Sequence, residues 1–162
     1  MKKLKKLSLK QLKDKMPVIE NEMMKQINGG DVTVTFDRSD GMIYIYVDGI
    51  QMDSYSAGNN VASNATGNWT NGTYNMMDTT GTYNHTSGDT FSGSYGINGI
   101  YRADPFYDAS GCYRTGMGLH AGRDGNVDYP TMGCIRTTEE AMNSLQDYID
   151  EYGNFTEITV RD

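Results

Sequence analysis

Residues 118–122 read Gly-Leu-His-Ala-Gly, and residues 131–136 read Thr-Met-Gly-Cys-Ile-Arg. His120 and Cys134 therefore lie fourteen positions apart, each close to glycines that permit tight turns. A cysteine attacks an acyl carbon well only as the thiolate, which requires a nearby base or a field that lowers its pKa. The two stretches predict a nucleophile, Cys134, with His120 as its base.

Gly133 directly precedes the candidate nucleophile. Glycine at this position permits a sharp turn and leaves backbone N–H groups able to point at a developing oxyanion. We therefore predict that the N–H groups of Gly133 and Cys134 form an oxyanion hole. The competing interpretation is that the cysteine is a small buried apolar residue with a histidine nearby by chance.

The order of these residues resembles the signature of the L,D-transpeptidase catalytic domain, also called the YkuD family. The resemblance runs from about residue 33 to the end of the chain. It includes a strand-like run at 42–49, a Gly-Thr-Tyr segment at 72–74, and a helix and a strand after the cysteine. It implies a mainly β fold, a sandwich or barrel with one helix in the C-terminal half.

The same resemblance implies the substrate and the reaction. In the family the cysteine is acylated by a peptidoglycan stem peptide, so Cys134 would attack the carbonyl between the third and fourth stem residues. His120 would take the thiol proton and return a proton to the departing D-amino acid. An amine then resolves the acyl-enzyme to a cross-link and water resolves it to a trimmed stem, and the sequence does not choose between them. No cofactor is implied, and no metal site either, because the histidines and cysteines have no recognised ligand spacing.

Arg136 and Thr131 are the predicted substrate contacts. The guanidinium of Arg136 is a planar fork that can hold a carboxylate by two hydrogen bonds, and stem peptides carry free carboxylates. The alternative for Arg136 is an ion pair with one of the many acids of the chain. Met132 departs from the family pattern, since many members carry histidine or another polar residue before the Gly-Cys pair.

The first thirty residues differ sharply in charge from the rest. All eight lysines lie there beside three acids, whereas residues 31–162 have six arginines, eighteen acids and a net charge of −12. This shift predicts a boundary between a segment 1–30 and a domain 31–162. The acidic domain would be repelled by nucleic-acid phosphates and anionic lipids, which disfavours both as partners.

Segment 1–30 lacks the apolar run of a secretory signal peptide or a membrane span. Its apolar residues ahead of Gly29-Gly30 resemble the double-glycine leaders of bacteriocin-type precursors. Such leaders are cut after the second glycine by an export transporter that carries a cysteine-peptidase domain. The resemblance implies cleavage after Gly30 and a periplasmic, cell-wall or extracellular location. The alternative is a basic amphipathic tail or membrane-surface arm.

Alternating apolar residues over 32–36 and 43–47, with turn residues at 38–41, predict a β-hairpin. Asp48-Gly49 is a second turn signal, after which the chain can extend a meander. The Asn-, Thr- and Gly-rich stretch 58–99 is predicted to be loop-rich, with its aromatic side chains packed in the core rather than binding sugars.

Thr137 with Glu140 is a capping-box pattern that predicts the start of a helix ending at Gly153, followed by a strand over 156–160. The other histidine, His85, is predicted to be a surface loop residue.

Two other functions remain open at this point. The first is a non-catalytic secreted protein, glycan-binding or bacteriocin-like, in which Cys112 and Cys134 form a disulfide. The second is an ordinary cysteine endopeptidase that cleaves all-L peptides. Free thiols would argue against the first, and stem-peptide specificity would argue against the second.

Overall fold

The structure, a computed structural model, describes residues 30–62, 67–83, 95–108, 111–122 and 126–162. The predicted leader up to Gly29 and His85 lie outside the described residues. The described ranges contain ten strands and one helix: β1 Val32–Asp37, β2 Met42–Val47, β3 Ile50–Gly58, β4 Gly72–Asn75, β5 Ile100–Arg102, β6 Phe106–Tyr107, β7 Tyr113–Arg114, β8 Gly118–His120, β9 Ile135–Thr137, α1 Glu139–Tyr152 and β10 Phe155–Arg161.

Eight strands form one curled sheet in the order β4-β10-β1-β2-β3-β9-β8-β5, and β6 pairs with β7 in a separate hairpin. The β1–β10 and β8–β9 pairs are parallel, and the other pairs are antiparallel. β3 joins the two halves of the sheet, because most of it pairs with β2 while Ala57 and Gly58 pair with β9. The predicted mainly β fold with one helix in the C-terminal half is confirmed.

The predicted hairpin and meander are β1, β2 and β3. Their alternation places one face in the core, where Val34 pairs with Ile45 and both are at most 1 % exposed. The second turn has Asp48 and Gly49 at positive φ, 51° and 77°, a conformation that glycine and aspartate adopt most readily. Each large apolar side chain buried in this way contributes about 1.5–3 kcal/mol.

Helix α1 packs its apolar stripe against this core. Ala141, Met142, Leu145 and Ile149 are its buried residues. The helix ends at Gly153 as predicted, with the Gly153 N–H donating to Ile149 O at 3.1 Å. It is neither long nor apolar enough to cross a bilayer, and the described ranges contain no other helix.

The predicted start of this helix is wrong by one residue. Thr138 is the N-cap, and its Oγ1 accepts the Ala141 N–H at 3.1 Å. Thr137 instead ends β9, and its hydroxyl donates to Ser56 O at 2.9 Å. The capping-box pattern predicts Thr137 as the N-cap, but pairing with β3 makes Thr137 part of strand β9 instead.

Within the stretch 58–99, Trp69 and Tyr74 confirm the predicted core packing, whereas Tyr83 is 42 % exposed. Trp69 is 1 % exposed and lies edge-on to Tyr74, with ring centroids 4.8 Å apart. Phe106 completes the cluster at 5.3 Å from Trp69 and 4.3 Å from Tyr74. The cluster fixes the segment around Trp69, which matters for the site described next.

Candidate active site

The parallel pair β8–β9 positions the predicted site residues. His120 on β8 is in register with Arg136 on β9, so both side chains leave the sheet on the same face. Cys134 directly precedes β9. All three residues are buried, at 3 %, 6 % and 8 % exposure in that order.

Glycine is required at the start of β8 because β5 lies so close. A Cβ atom on Gly118 would lie 2.2 Å from Tyr101 O. Beside this strand the Cys134 thiol donates to Gly116 O at 3.8 Å. The first glycine of the Gly-Leu-His run therefore allows the tight strand packing that holds His120 in place.

Four of the predicted site residues line one cavity of about 600 Å³. Its lining consists of the following residues: Ala62, Tyr95, Gly116, His120, Tyr129, Pro130, Thr131, Met132, Cys134 and Arg136. The structure thus brings together His120, Cys134, Arg136 and Thr131. Met132 stands 59 % exposed at the opening, so the position next to the Gly-Cys pair faces solvent.

The turn before Cys134 is closed by Thr131. The Gly133 N–H donates to Thr131 Oγ1 at 3.0 Å, and that hydroxyl donates to Cys134 O at 2.8 Å. The Gly133 N–H, predicted as an oxyanion donor, is therefore already engaged, which leaves the Cys134 N–H as the remaining candidate of the predicted pair. The Thr131 hydroxyl, predicted to contact substrate, is used within the turn.

Asn59 also holds this turn, and sequence reasoning missed it. Its Nδ2 donates to Gly133 O and to Cys134 O, both at 2.9 Å. Its Oδ1 accepts the Trp69 N–H at 3.0 Å. Asn59 is 6 % exposed, yet it lies in a Gly-Asn-Asn run that reads as an ordinary loop. No local signal distinguishes it.

Burial sets the protonation of the site. It raises the pKa of the Cys134 thiol, an effect that the Gly118 N–H and the Arg136 charge partly oppose. Burial, and next the charge of Arg136, lower the pKa of His120 to about 3. At neutral pH the pair therefore consists of a thiol and a neutral imidazole that can accept a proton.

The ring of His120 packs edge-on against Tyr95, with ring centroids 5.2 Å apart. Its Nδ1 has no hydrogen-bond partner in the described part of the chain. A buried imidazole with an unpartnered nitrogen is costly unless that nitrogen is used when a ligand binds. This feature favours a functional site over a structural histidine.

Arg136 explains Gly122, the second glycine of the Gly-Leu-His-Ala-Gly run. Gly122 has φ +75°, and a Cβ atom there would lie 2.6 Å from Arg136 Cζ. The guanidinium also donates from Nη1 to Asn126 O at 3.4 Å and lies 5.8 Å from the Tyr129 ring centroid. The guanidinium is thereby held in the cavity wall.

The two cysteines do not form the disulfide that the sequence left open. Both are free thiols, with Cys112 exposed and Cys134 buried. The binding-protein alternative therefore lacks its disulfide. Within the described ranges, no group of three or more His, Cys, Asp or Glu side chains is arranged to hold a metal ion.

These observations define the class of the protein as a mainly β domain with a curled sheet and a cavity lined by a buried cysteine and a buried histidine. No protein-family model matches the chain, and no curated protein sequence is significantly similar to it. Solved structures nevertheless share its fold. The L,D-transpeptidase (Yku) from Stackebrandtia nassauensis matches with a TM-score of 0.50 at 16 % identity, over 80 % of this chain and 55 % of that one.

Two further structures are similar. Bd1075 from Bdellovibrio bacteriovorus matches with a TM-score of 0.55 at 11 % identity, over 79 % of this chain and 46 % of that one. L,D-transpeptidase 3 from Mycobacterium tuberculosis, solved with a faropenem-derived adduct, matches with a TM-score of 0.50 at 13 % identity, over 83 % of this chain and 61 % of that one. The chain spans 46–61 % of the length of these three structures. The domain has the fold seen in L,D-transpeptidases.

Proposed function

We propose that this domain is a cysteine acyltransferase of the L,D-transpeptidase type that acts on peptidoglycan stem peptides. The observation that carries the proposal is that the buried residues Cys134, His120 and Arg136 line one cavity. A nucleophile, a neutral base and a fixed cation in one cavity suit acyl transfer from a substrate that carries a carboxylate. The fold shared with solved L,D-transpeptidases supports the same class of reaction.

In the proposed reaction, His120 accepts the thiol proton as Cys134 Sγ attacks the carbonyl that joins the third and fourth stem residues. The new C–S bond forms a tetrahedral intermediate, whose oxygen carries the negative charge. The C–N bond then breaks, and the proton on His120 passes to the amine of the leaving D-amino acid. An amine acceptor releases the acyl group as a cross-link, and water releases it as a trimmed stem.

Arg136 is the proposed carboxylate contact. Arg136 is 6 % exposed, and its guanidinium lies beside Gly122 and donates to Asn126 O, so contacts within the protein hold it in place. A fixed bidentate donor costs little entropy when a carboxylate binds. The surrounding domain is strongly acidic, and a cation inside the cavity therefore distinguishes the site from the rest of the surface.

The deciding experiment incubates the protein with tetrapeptide stem fragments and follows them by mass spectrometry. We expect loss of the terminal D-residue, with or without dimer formation. Cys134→Ala should abolish it, a fall of at least about 1,000-fold, because the nucleophile is removed. Cys112→Ala is the matched control, since this thiol is exposed and does not line the cavity.

Unchanged stem fragments under reducing conditions would contradict the proposal and favour a binding protein. Cleavage of all-L peptides instead would favour an endopeptidase. A second readout is the intact mass after treatment with faropenem, the compound whose derived adduct accompanies the Mycobacterium tuberculosis structure. We expect one adduct that Cys134→Ala removes.

Export after removal of a double-glycine leader is part of the proposal. Gly30 is buried in the domain, where its N–H donates to Tyr152 O at 2.9 Å and a Cβ atom would lie 2.8 Å from Asp48 Oδ2. Cleavage after Gly30 would therefore occur before the domain folds. N-terminal sequencing of the protein outside the producing cell tests this: Asp31 as the first residue supports it, and an intact N-terminus contradicts it.

A further inference from the structure

Asn59 is a fully satisfied amide next to the nucleophile. Its two N–H bonds go to Gly133 O and Cys134 O, and its oxygen accepts the Trp69 N–H. The reverse orientation would place Oδ1 against two carbonyl oxygens and the NH₂ group against an N–H donor. The three contacts therefore leave one orientation of the side chain.

The contact to Gly133 O also determines where the Cys134 N–H points. The two groups belong to one peptide bond, and the described residues contain no cis peptide bonds. In a trans peptide the carbonyl and the N–H point in opposite directions. Because Asn59 holds Gly133 O on its own buried side, the Cys134 N–H points to the other side, away from Asn59.

The neighbouring donor is used elsewhere, since the Gly133 N–H goes to Thr131 Oγ1. Thr131 therefore accepts the Gly133 N–H, and Asn59 sets the direction of the Cys134 N–H. Asn59 is itself fixed through the Trp69 segment, where Arg114 Nη2 donates to Gly67 O at 2.9 Å.

We infer that Asn59 is a positioning residue, which directs the Cys134 N–H at the oxyanion of the tetrahedral intermediate. The inference rests on the proposed function. Asn59 does not line the cavity and touches no reacting atom, so it acts only through the Gly133–Cys134 peptide bond. The Cys134 N–H, rather than that of Gly133, is then the backbone donor of the oxyanion hole.

Asn59→Asp tests this with almost no change of shape. A carboxylate oxygen would replace Nδ2, 2.9 Å from each of two carbonyl oxygens, and would repel them. Acylation by faropenem passes through an oxyanion, whereas alkylation by iodoacetamide displaces iodide directly and forms none. We expect the acylation rate to fall roughly 100-fold while alkylation of Cys134 changes by less than about threefold.

The pH dependence of the acylation rate of Asn59→Asp distinguishes a loss of positioning from a general disturbance of the structure. At low pH the introduced carboxyl becomes protonated, and its O–H can donate to Gly133 O again. Acylation by Asn59→Asp, relative to the wild type, should therefore rise as the pH falls from 8 to 5. Asn60→Asp is the matched control, because Asn60 is the exposed neighbour and its side chain donates to Asp128 O at 3.1 Å, away from the Gly133–Cys134 peptide bond. It should leave both rates unchanged.

An equal fall in acylation and alkylation, or wild-type acylation by Asn59→Asp, would overturn the inference. Circular dichroism establishes that each variant folds. If Asn59→Asp does not fold, Asn59→Ala is measured in the same way, and the same split between the two rates is expected. A wild-type protein that neither reacts with faropenem nor trims stem tetrapeptides overturns the proposed function itself, a result that needs no variant.

Discussion

The two halves of the sheet are built on different principles. Around β1, β2, β10 and α1, side chains such as Ile43, Ile158 and Leu145 are fully buried and apolar. At the ends of β8 and β9, strands of three residues each, the buried side chains include His120 and Arg136. Leu119 and Ile135 of the second half are fully buried as well, so apolar burial stabilises both halves, and in the second half single hydrogen bonds also hold the turn before Cys134. Position in the second half is therefore sensitive to individual polar atoms.

The largest expected effect lies in the apolar half. Leu145→Ala removes a fully buried side chain from α1 and should lower the free energy of unfolding by about 3 kcal/mol, because it leaves a cavity. Urea unfolding measures this. The faropenem acylation rate of the folded variant should match the wild type, since Leu145 does not line the site cavity. A clear fall in that rate would show that the two halves are coupled.

The apolar half is also the part that the sequence predicts best. Alternation along 32–36 and 43–47 is a local pattern, and one buried face explains it completely. His120 and Cys134 can be predicted as a pair because their residue types and glycine neighbours suit nucleophilic chemistry, and both side chains line one cavity.

What the sequence could not provide are contacts between distant residues. Asn59 meets Cys134 across 75 positions, and nothing near Asn59 indicates that contact. The same reason explains the shifted helix start, where pairing with β3 takes Thr137. The bond from the Gly133 N–H to the Thr131 hydroxyl is different, because it joins residues only two positions apart and is a local turn pattern of threonine.

An intermediate effect is expected at the glycine beside Arg136, and the chain offers a matched control. Gly122 and Gly49 have nearly equal φ, +75° and +77°, so an alanine meets the same backbone strain at both. At Gly122 the new Cβ would also collide with the Arg136 guanidinium, whereas at Gly49 nothing lies within 4 Å. Gly122→Ala should therefore cost about 2 kcal/mol more than Gly49→Ala.

Displacement of the guanidinium should also weaken substrate binding. In stem-peptide assays, KM is expected to rise for Gly122→Ala and to stay unchanged for Gly49→Ala. Equal costs and equal KM values for the two variants would mean that Arg136 moves aside freely, and its fixed position in the cavity wall would then be wrong.

The smallest expected effect is a pH dependence of stability that comes from His120 in the polar half. The pKa of His120 is about 3 in the folded domain and near 6.5 in an unfolded chain, so the unfolded state binds the proton first as the pH falls. This contribution to stability is complete above pH 6.5 and is lost progressively toward pH 3. Between pH 6.5 and 5 the loss is about 1.5 kcal/mol.

His120→Gln should remove that loss, and His85→Gln, the other histidine of the chain, is the control that should keep it. Urea unfolding at the two pH values measures the difference. Equal losses for the wild type and His120→Gln would mean that the folded domain accepts the proton on His120. The pKa of His120 in the folded domain would then lie near its ordinary value of about 6.5, and burial would not keep the imidazole neutral at acidic pH.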